Sequence, residues 1–375
     1  MNIEKRNIPM PLRYLINAAL FAGFLILMNS LISSGTISNY YSAVISLIGI
    51  NIILAVSLNI ATGYLGQLPL GHAGFMAIGA YTSAIIMKAF AASDAAAIAA
   101  AKAAAAAAGS EFIAGSVASS LPVAFPFALI AGGLVAALFG LLIGIPALRL
   151  RGDYLAILTL GFGEIIRVIL LNIDSVLGFT FTNGAAGLQK IPQTTNFMNT
   201  FICVGITIFV IHTMMKSRHG RAILSIRENE IAAEACGINT TYYKTMGFVV
   251  SAFFAGVAGG LFAGNIGILS PGAFGFMKSI EILVMVVLGG MGSMFGSVLS
   301  ATVLTALPEL LRSFDEYRMV VYSLLLVIVM IFKPSGLMGT YDFSLNGLLD
   351  KLITRLKGGG KKAAVSGGKE DGDNE

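Results

Sequence analysis

Apolar residues run in long blocks along almost the whole chain, and polar residues are confined to the gaps between them. The blocks approach the ~20 residues that carry an α-helix across a bilayer. They predict ten spans, over residues 14–33, 41–60, 73–90, 122–147, 154–171, 199–215, 245–264, 279–290, 293–311 and 319–332. Several are shorter than a full crossing, which predicts broken or tilted helices in the second half. The first block follows Lys5, Arg6 and Arg13, as a signal peptide would. It is long for such a segment and has no convincing small-residue cleavage site after it, so it reads as an uncleaved first span.

Charge fixes an orientation. With the N-terminus in the cytoplasm, the segments 1–13, 61–72, 148–153, 216–244 and 333–375 lie on that side and hold 17 of the 24 Lys and Arg residues. One span more or fewer would scramble that asymmetry, so both termini are expected inside. The domain division that follows is a cytoplasmic N-terminus (1–13), a membrane-spanning domain (14–340) and a cytoplasmic, largely disordered tail (341–375). Within the middle part lie an alanine-rich insertion on the outer side (91–121), an outer loop (172–198) and a cytoplasmic loop (216–244). Asp94, Lys102 and Glu111 interrupt the insertion. Alanine favours helix without much membrane affinity, so a surface helix outside the bilayer is the expectation there. The tail, "KGGGKKAAVSGGKEDGDNE", is Gly-rich and charged.

Composition then narrows the class. The chain has 375 residues, 56% hydrophobic and only 11% charged, where a soluble domain carries about a quarter charged residues. Its two cysteines, Cys203 and Cys236, have no neighbour at metal-ligand or redox spacing. No paired-His, metal-ligand or Ser/His/Asp constellation appears, so a membrane enzyme is not expected. Ion-driven transporters generally need buried carboxylate or histidine relays. Here only Glu164 and Arg167 lie deep in a span, at i,i+3 spacing, with Glu281 near the start of another. They serve either as an ion pair that holds the helix to its neighbours or as lining of a substrate path. His72 and His212 read as packing or hydrogen-bonding residues. Asp153 stands where the N-cap of the fifth span belongs, beside the anchors Arg149 and Arg151.

No phosphate-binding loop is present, so any nucleotide must act through a separate subunit on the cytoplasmic face. The segment "RENEIAAEACGIN" (227–239) offers a handle for one. On a helix Glu230 and Glu234 share a face, while Ala232, Ala235 and Cys236 make a small-residue face. Gly237 supplies a stop and Ile238 an apolar knob. An ordinary amphipathic loop helix fits the same spacing. Two Gly-rich stretches, "NIATGYLGQLPLGHAG" (59–74) and "VLGGMGSMFGS" (287–297), interrupt apolar runs near the cytoplasmic side. Irregular backbone at membrane depth lines a pathway or marks close helix packing. The candidate path residues are Asn59, Gly63, Gly66, Gln67, Glu164, Gly289 and Gly290.

The stretches "LRLRGDYLAILTLGFGEIIRVILLN", "GRAILSIRENEIAAEACGIN", "SAFFAGVAGGLFAG" and "EILVMVVLGGMGSMFGSVLSA" resemble the permeases of branched-chain amino acid ABC importers, the M-type subunit in particular. The resemblance continues through "LPELLRSFDEYRMVVYSLLLVIVMIFKPSGLMG" and covers about 40–90 and 122–340. It implies an all-α, ten-span permease subunit of the bacterial inner membrane. It also implies a second, homologous permease, two ATP-binding cassette subunits that carry ATP and magnesium, and a periplasmic amino-acid-binding protein as partners. This chain itself is expected to bind no cofactor and no nucleic acid. Leucine, isoleucine and valine are the implied substrates, with urea, short amides or other amino acids as alternatives and a stand-alone channel or secondary transporter less favoured. The family's coupling segment has a glycine four residues after its second alanine, a spacing that Ala233 and Gly237 keep. Glu230 stands one place earlier than in the general pattern. Arg227, Glu230, Ala232, Ala233, Glu234, Gly237 and Ile238 are therefore the implied coupling residues. The alanine-rich insertion departs from the family, and Asn183 stands in "TNGAAGL" where a second glycine is common.

Overall fold

Lipid offers no hydrophobic drive between helices, so membrane helices associate best where small residues let their backbones touch. This chain follows that rule. In the computed structural model, described for residues 10–107, 120–150, 152–178, 182–312, 317–333 and 336–339, all ten apolar blocks are helical. The N-terminal half comprises α1 (Met10–Ser33), α2 (Asn39–Asn59), α3 (His72–Ala107), α4 (Leu121–Ala147), α5 (Asp153–Leu177) and α6 (Phe197–Lys216). The C-terminal half adds α7 (Arg218–Glu228), α8 (Glu230–Ala235), α9 (Thr240–Ile266), α10 (Phe276–Gly289), α11 (Met294–Leu310) and α12 (Arg318–Phe332). The β pairing among the described residues is a single antiparallel bridge, Leu188 with Leu269.

Helix α9 forms the centre, packed on α2, α3 and α4. Its buried face is built from Ser251, Ala252, Ala255, Gly256, Ala258 and Gly259, with Gly260 and Ala263 behind them. Backbones meet there. A Cβ on Gly79 of α3 would collide with the backbone of Gly256, and one on Gly256 would lie 2.8 Å from the Gly132 carbonyl of α4. Bulkier residues fill the space around this contact, with Phe75 edge-on to Phe248 at 5.4 Å between ring centres.

Among the described residues, six helices are long and apolar enough to cross a membrane: Asn39–Tyr64, His72–Ala100, Leu121–Ala147, Asp153–Val176, Phe197–Lys216 and Thr240–Ile266. The apolar stretches Ala18–Ser33, Met294–Leu310 and Val320–Phe332 are shorter. At 14 residues, α10 is about 21 Å long, less than the ~30 Å hydrocarbon layer. The expectation of broken helices in the second half therefore takes the form of a short hairpin, α10 and α11, joined at Gly290–Ser293.

Three local expectations need correction. The alanine-rich stretch is not separate from the third block, because α3 runs on without a break to Ala107, as alanine's helix propensity allows. Asp94 accepts hydrogen bonds from the Ser120 N–H at 2.9 Å and the Ser120 hydroxyl at 2.6 Å, which clasps the returning chain to α3. Asp153 does not cap α5. The N-cap is Gly152, at φ +58°, and Asp153 lies in the first turn, where its charge meets the positive end of the helix dipole. The helix α1 begins at Met10, four residues before its apolar block. The N-terminal residues 1–9, part of the insertion (108–119) and the tail (340–375) lie outside the described residues. Asn183 adopts φ +63°, ψ +20°, the left-handed conformation that glycine takes freely and asparagine tolerates best among the other residues.

Candidate functional site

The two Gly-rich stretches come together. At Asn59 the α-helical α2 passes into one turn of π-helix, Ile60–Tyr64, the kind of local widening that recurs at functional sites. The Asn59 side chain spans the gap to the α10–α11 turn. Its Nδ2 donates to the Ser293 carbonyl at 3.1 Å, and its Oδ1 accepts from the Gly292 N–H at 2.9 Å. Gly63 makes that approach possible, since a Cβ there would collide with Asn59 Oδ1 and the Gly292 nitrogen. The chain beyond α12 closes the far side. Leu337 N–H donates to the Leu288 carbonyl at 2.7 Å, and Gly336 abuts Gly290.

Beyond the π-turn the chain does not remain a surface loop. The Leu70 N–H donates to Thr159 Oγ1 at 3.0 Å, and Gly74 lies against Gly163 of α5. His72 is buried and shares a 3.0 Å hydrogen bond with Ser57, and the Ala73 N–H donates to Ser279 of α10 at 3.1 Å. The 59–74 stretch is thus an interrupted helix packed among α2, α5, α9 and α10, with Gly66 and Leu68 left exposed. Gln67 lies within it, with its Oε1 buried and without a hydrogen-bond partner among the described residues.

Arg227, the last-turn residue of α7, reaches this junction from the polar end of the bundle. Its Nη1 donates to the Gly63 carbonyl at 2.7 Å, and its aliphatic stem runs past Gly66, whose Cβ would lie 3.2 Å from Cγ. Asn229 then separates two helices. It ends α7 in extended conformation and caps α8 by accepting from the Ala232 N–H at 3.0 Å. The far end of α8 closes as a Schellman motif: Ile238 N–H donates to the Ala233 carbonyl at 3.0 Å and Gly237 N–H to the Glu234 carbonyl at 2.9 Å. Gly237 sits at φ +81°, so the expected helix stop is in place.

The two glutamates of α8 do not point outward as a free acidic face. Glu230 pairs with Lys244 of α9 at 2.6 Å, and Glu234 accepts from the Thr240 hydroxyl at 2.6 Å. Lys244 is 7% exposed, and this is why Glu230 occupies its position: a lysine so buried needs a counter-charge. Glu234 stays exposed while so bonded, and the other exposed residues of α8 and its stop are uncharged. Ile231 is 72% exposed, and Ala232, Ala235, Cys236 and Gly237 are exposed beside it. Ala233 is buried and Ile238 half-buried.

Glu164 stands apart from the junction. As its spacing predicts, it pairs with Arg167, Nε to Oε2 at 2.6 Å, halfway along α5. Its other oxygen accepts the Phe276 N–H at 3.0 Å, at the start of α10. The candidate path residues therefore fall into two groups: Asn59, Gly63, Gly66, Gln67, Gly289 and Gly290 at the helix breaks, and Glu164 at a separate cavity. Gly292, Ser293, Lys244 and Phe276 were not among the sequence candidates. A lysine in the first turns of an otherwise apolar helix was the available signal for one of them.

A polytopic α-helical protein with paired helix breaks tied to a polar two-helix segment belongs to the class of membrane permeases. The chain matches, over residues 40–330, the family described as branched-chain amino acid transport system / permease component, and it belongs to that family. It is 37% identical over 323 residues to the high-affinity branched-chain amino acid transport system permease protein LivM of Salmonella typhimurium, covering 77% of this chain and 68% of that one. It is 36% identical over 342 residues to LivM of Escherichia coli K12, covering 82% and 71%. LivH of the same strain, also a permease of that transport system by name, is 30% identical over 184 residues, covering 48% of this chain and 58% of its own. These relatives are permeases and not enzymes, and this chain is likewise a transport subunit.

Proposed function

We propose that the chain is one permease subunit of an ATP-driven importer for leucine, isoleucine and valine in the bacterial inner membrane. In this reading its ten helical blocks all cross or enter the bilayer, with both termini cytoplasmic. A second homologous permease completes the pathway, two ATP-binding cassette subunits hold ATP and magnesium, and a periplasmic binding protein delivers the substrate. The LivM relatives support the substrate class.

One observation carries the mechanism: the Arg227 bond to Gly63, continued through Asn59 to Gly292 and Ser293. The exposed Ile231–Ala235 face takes the ATPase. When the ATPase dimer closes, α7 and α8 move together, because Asn229 and the Lys244–Glu230 pair tie them to each other and to α9. Arg227 passes that displacement to the π-turn of α2, and Asn59 passes it on to the α10–α11 turn. Both helix breaks then shift together, and the path they border changes its access. The helices on either side of the segment, α6 and α9, rock as a consequence.

The test begins with gentle purification of the chain from its native membrane, which should bring a second permease and P-loop ATPases with it. In the reconstituted complex, the Glu230→Gln, Gly237→Ala double variant should still insert and assemble, yet take up less leucine for each ATP hydrolysed. Unchanged stoichiometry would remove the coupling assignment. Competition of labelled leucine uptake by isoleucine, valine and urea separates the substrate classes.

A further inference from the structure

Away from the helix breaks, a cavity of about 470 Å3 opens between the middle of α5 and the start of α10. Its lining includes Glu164, Arg167, Phe276, Met277, Lys278 and Glu281. The four charges form two pairs of opposite sign, Arg167 with Glu164 at 2.6 Å and Lys278 with Glu281 at 3.0 Å. The cavity is therefore polar and charged but electrically neutral. In surroundings of low dielectric, a ligand of net charge would leave it unbalanced, whereas a zwitterion keeps the balance and meets both signs.

The pairs are not equally committed. Glu164 uses both oxygens, one on Arg167 and one on the Phe276 N–H, so it is a positioning residue that fixes the guanidinium and the start of α10. Arg167 gives Glu164 only its Nε, and its terminal N–H groups have no partner among the described residues. They form the planar fork that receives a carboxylate bidentately. Glu281 is 43% exposed, bonds Lys278 through Oε2, and has no hydrogen-bond partner on Oε1 among the described residues. It can accept from an ammonium group. In the same lining Met277, 77% exposed, and Phe276, 39% exposed, offer apolar surface. Pockets of ~300–1,000 Å3 suit ligands of small-molecule size.

We propose that this cavity is a transient binding site for a zwitterionic amino acid with an aliphatic side chain. Arg167 takes the carboxylate, Glu281 the ammonium, and Phe276 and Met277 the side chain. The inference rests on the importer reading above and assigns a place where its substrate pauses on the permease itself. A neutral diamide such as urea has neither of the charges that the cavity is built to meet.

The test uses the assembled transporter complex in lipid nanodiscs, without the binding protein, so that retained leucine reports the permease. Labelled leucine should be displaced by unlabelled leucine and isoleucine. Leucinamide, which lacks the carboxylate, 4-methylpentanoate, which lacks the ammonium, and urea should all fail to displace it. Arg167→Gln should weaken retention about tenfold or more, and Arg167→Lys should restore much of it. If Arg167→Gln does not assemble, Glu281→Gln, at the cavity rim, gives the same reading through the ammonium. Equal displacement by 4-methylpentanoate and leucine would overturn the proposal, as would wild-type retention in both variants. Uptake into proteoliposomes separates the two levels of the argument. A wild-type complex that accumulates no leucine removes the importer reading. Uptake by wild type that Arg167→Gln leaves untouched removes the cavity alone.

Discussion

Helices α9 and α5 have the same mean hydropathy, yet 72% of the apolar window of α9 is buried inside the protein and only 17% of that of α5. Hydropathy says that both belong in a membrane. It does not say what each one touches. The difference lies in side-chain size. Along α9 the buried positions are mostly Gly, Ala and Ser, and neighbouring backbones come into contact through them. The exposed positions of α5 are large: Tyr154, Ile157, Ile165, Val168, Ile169 and Val176. One helix is shaped for protein, the other for lipid or a second subunit, and α5 carries the ion pair of the cavity.

The comparison can be broken most forcefully at its centre. Gly256→Leu should cost more than about 3 kcal/mol, because extra methylenes would force α3 and α4 off α9 at a backbone contact. The expected outcome is loss of the monodisperse peak in size-exclusion chromatography after mild heating. A stable Gly256→Leu protein would mean that the α3–α4–α9 contact is looser than the structure has it.

A smaller effect is expected where the buried region meets the polar segment. Arg227→Ala removes a charged hydrogen bond worth roughly 1.5–3 kcal/mol. It should lower leucine uptake per ATP several-fold while the complex still assembles. Combined with Asn59→Ala it should give much less than the sum of the two single effects, as members of one linkage do. Additive effects would separate the two breaks.

The smallest effect sharpens the other half of the comparison. Val176→Ala on α5, at a position 82% exposed, should change the stability of the isolated chain by no more than about 0.5 kcal/mol. If the same substitution costs clearly more in the assembled complex, a partner subunit covers that face. If the two values agree, the face belongs to lipid.

Much of this was legible in the sequence, for reasons that differ from place to place. The ten apolar blocks become helices because runs of such length have no other way to satisfy their backbone in lipid. The α8 helix, its stop at Gly237 and the Glu164–Arg167 pair rest on interactions within six residues of one another, which spacing can reveal. The number of full crossings was less legible: among the described residues six helices meet the length where ten blocks suggested spans, because hydropathy does not separate a span from half of a hairpin. Helix α7 passed as loop because it is polar and short. The Asn59–Gly292 contact joins residues 233 apart in the chain, and no local pattern records it. The Lys244 partner of Glu230 lies 14 residues away on α9, beyond what the spacing within α8 can show.

The clasp between Asp94 and Ser120 has a consequence for how this protein can vary. Asp94 on α3 holds Ser120 just before α4, so the register of α3 against α4 is fastened at that point. Closing a longer loop adds only slowly to the entropic penalty, about 0.6 kcal/mol per doubling of length. A change in the number of residues between the two clasped positions is therefore expected to cost little, and an epitope inserted there should leave α3 and α4 aligned.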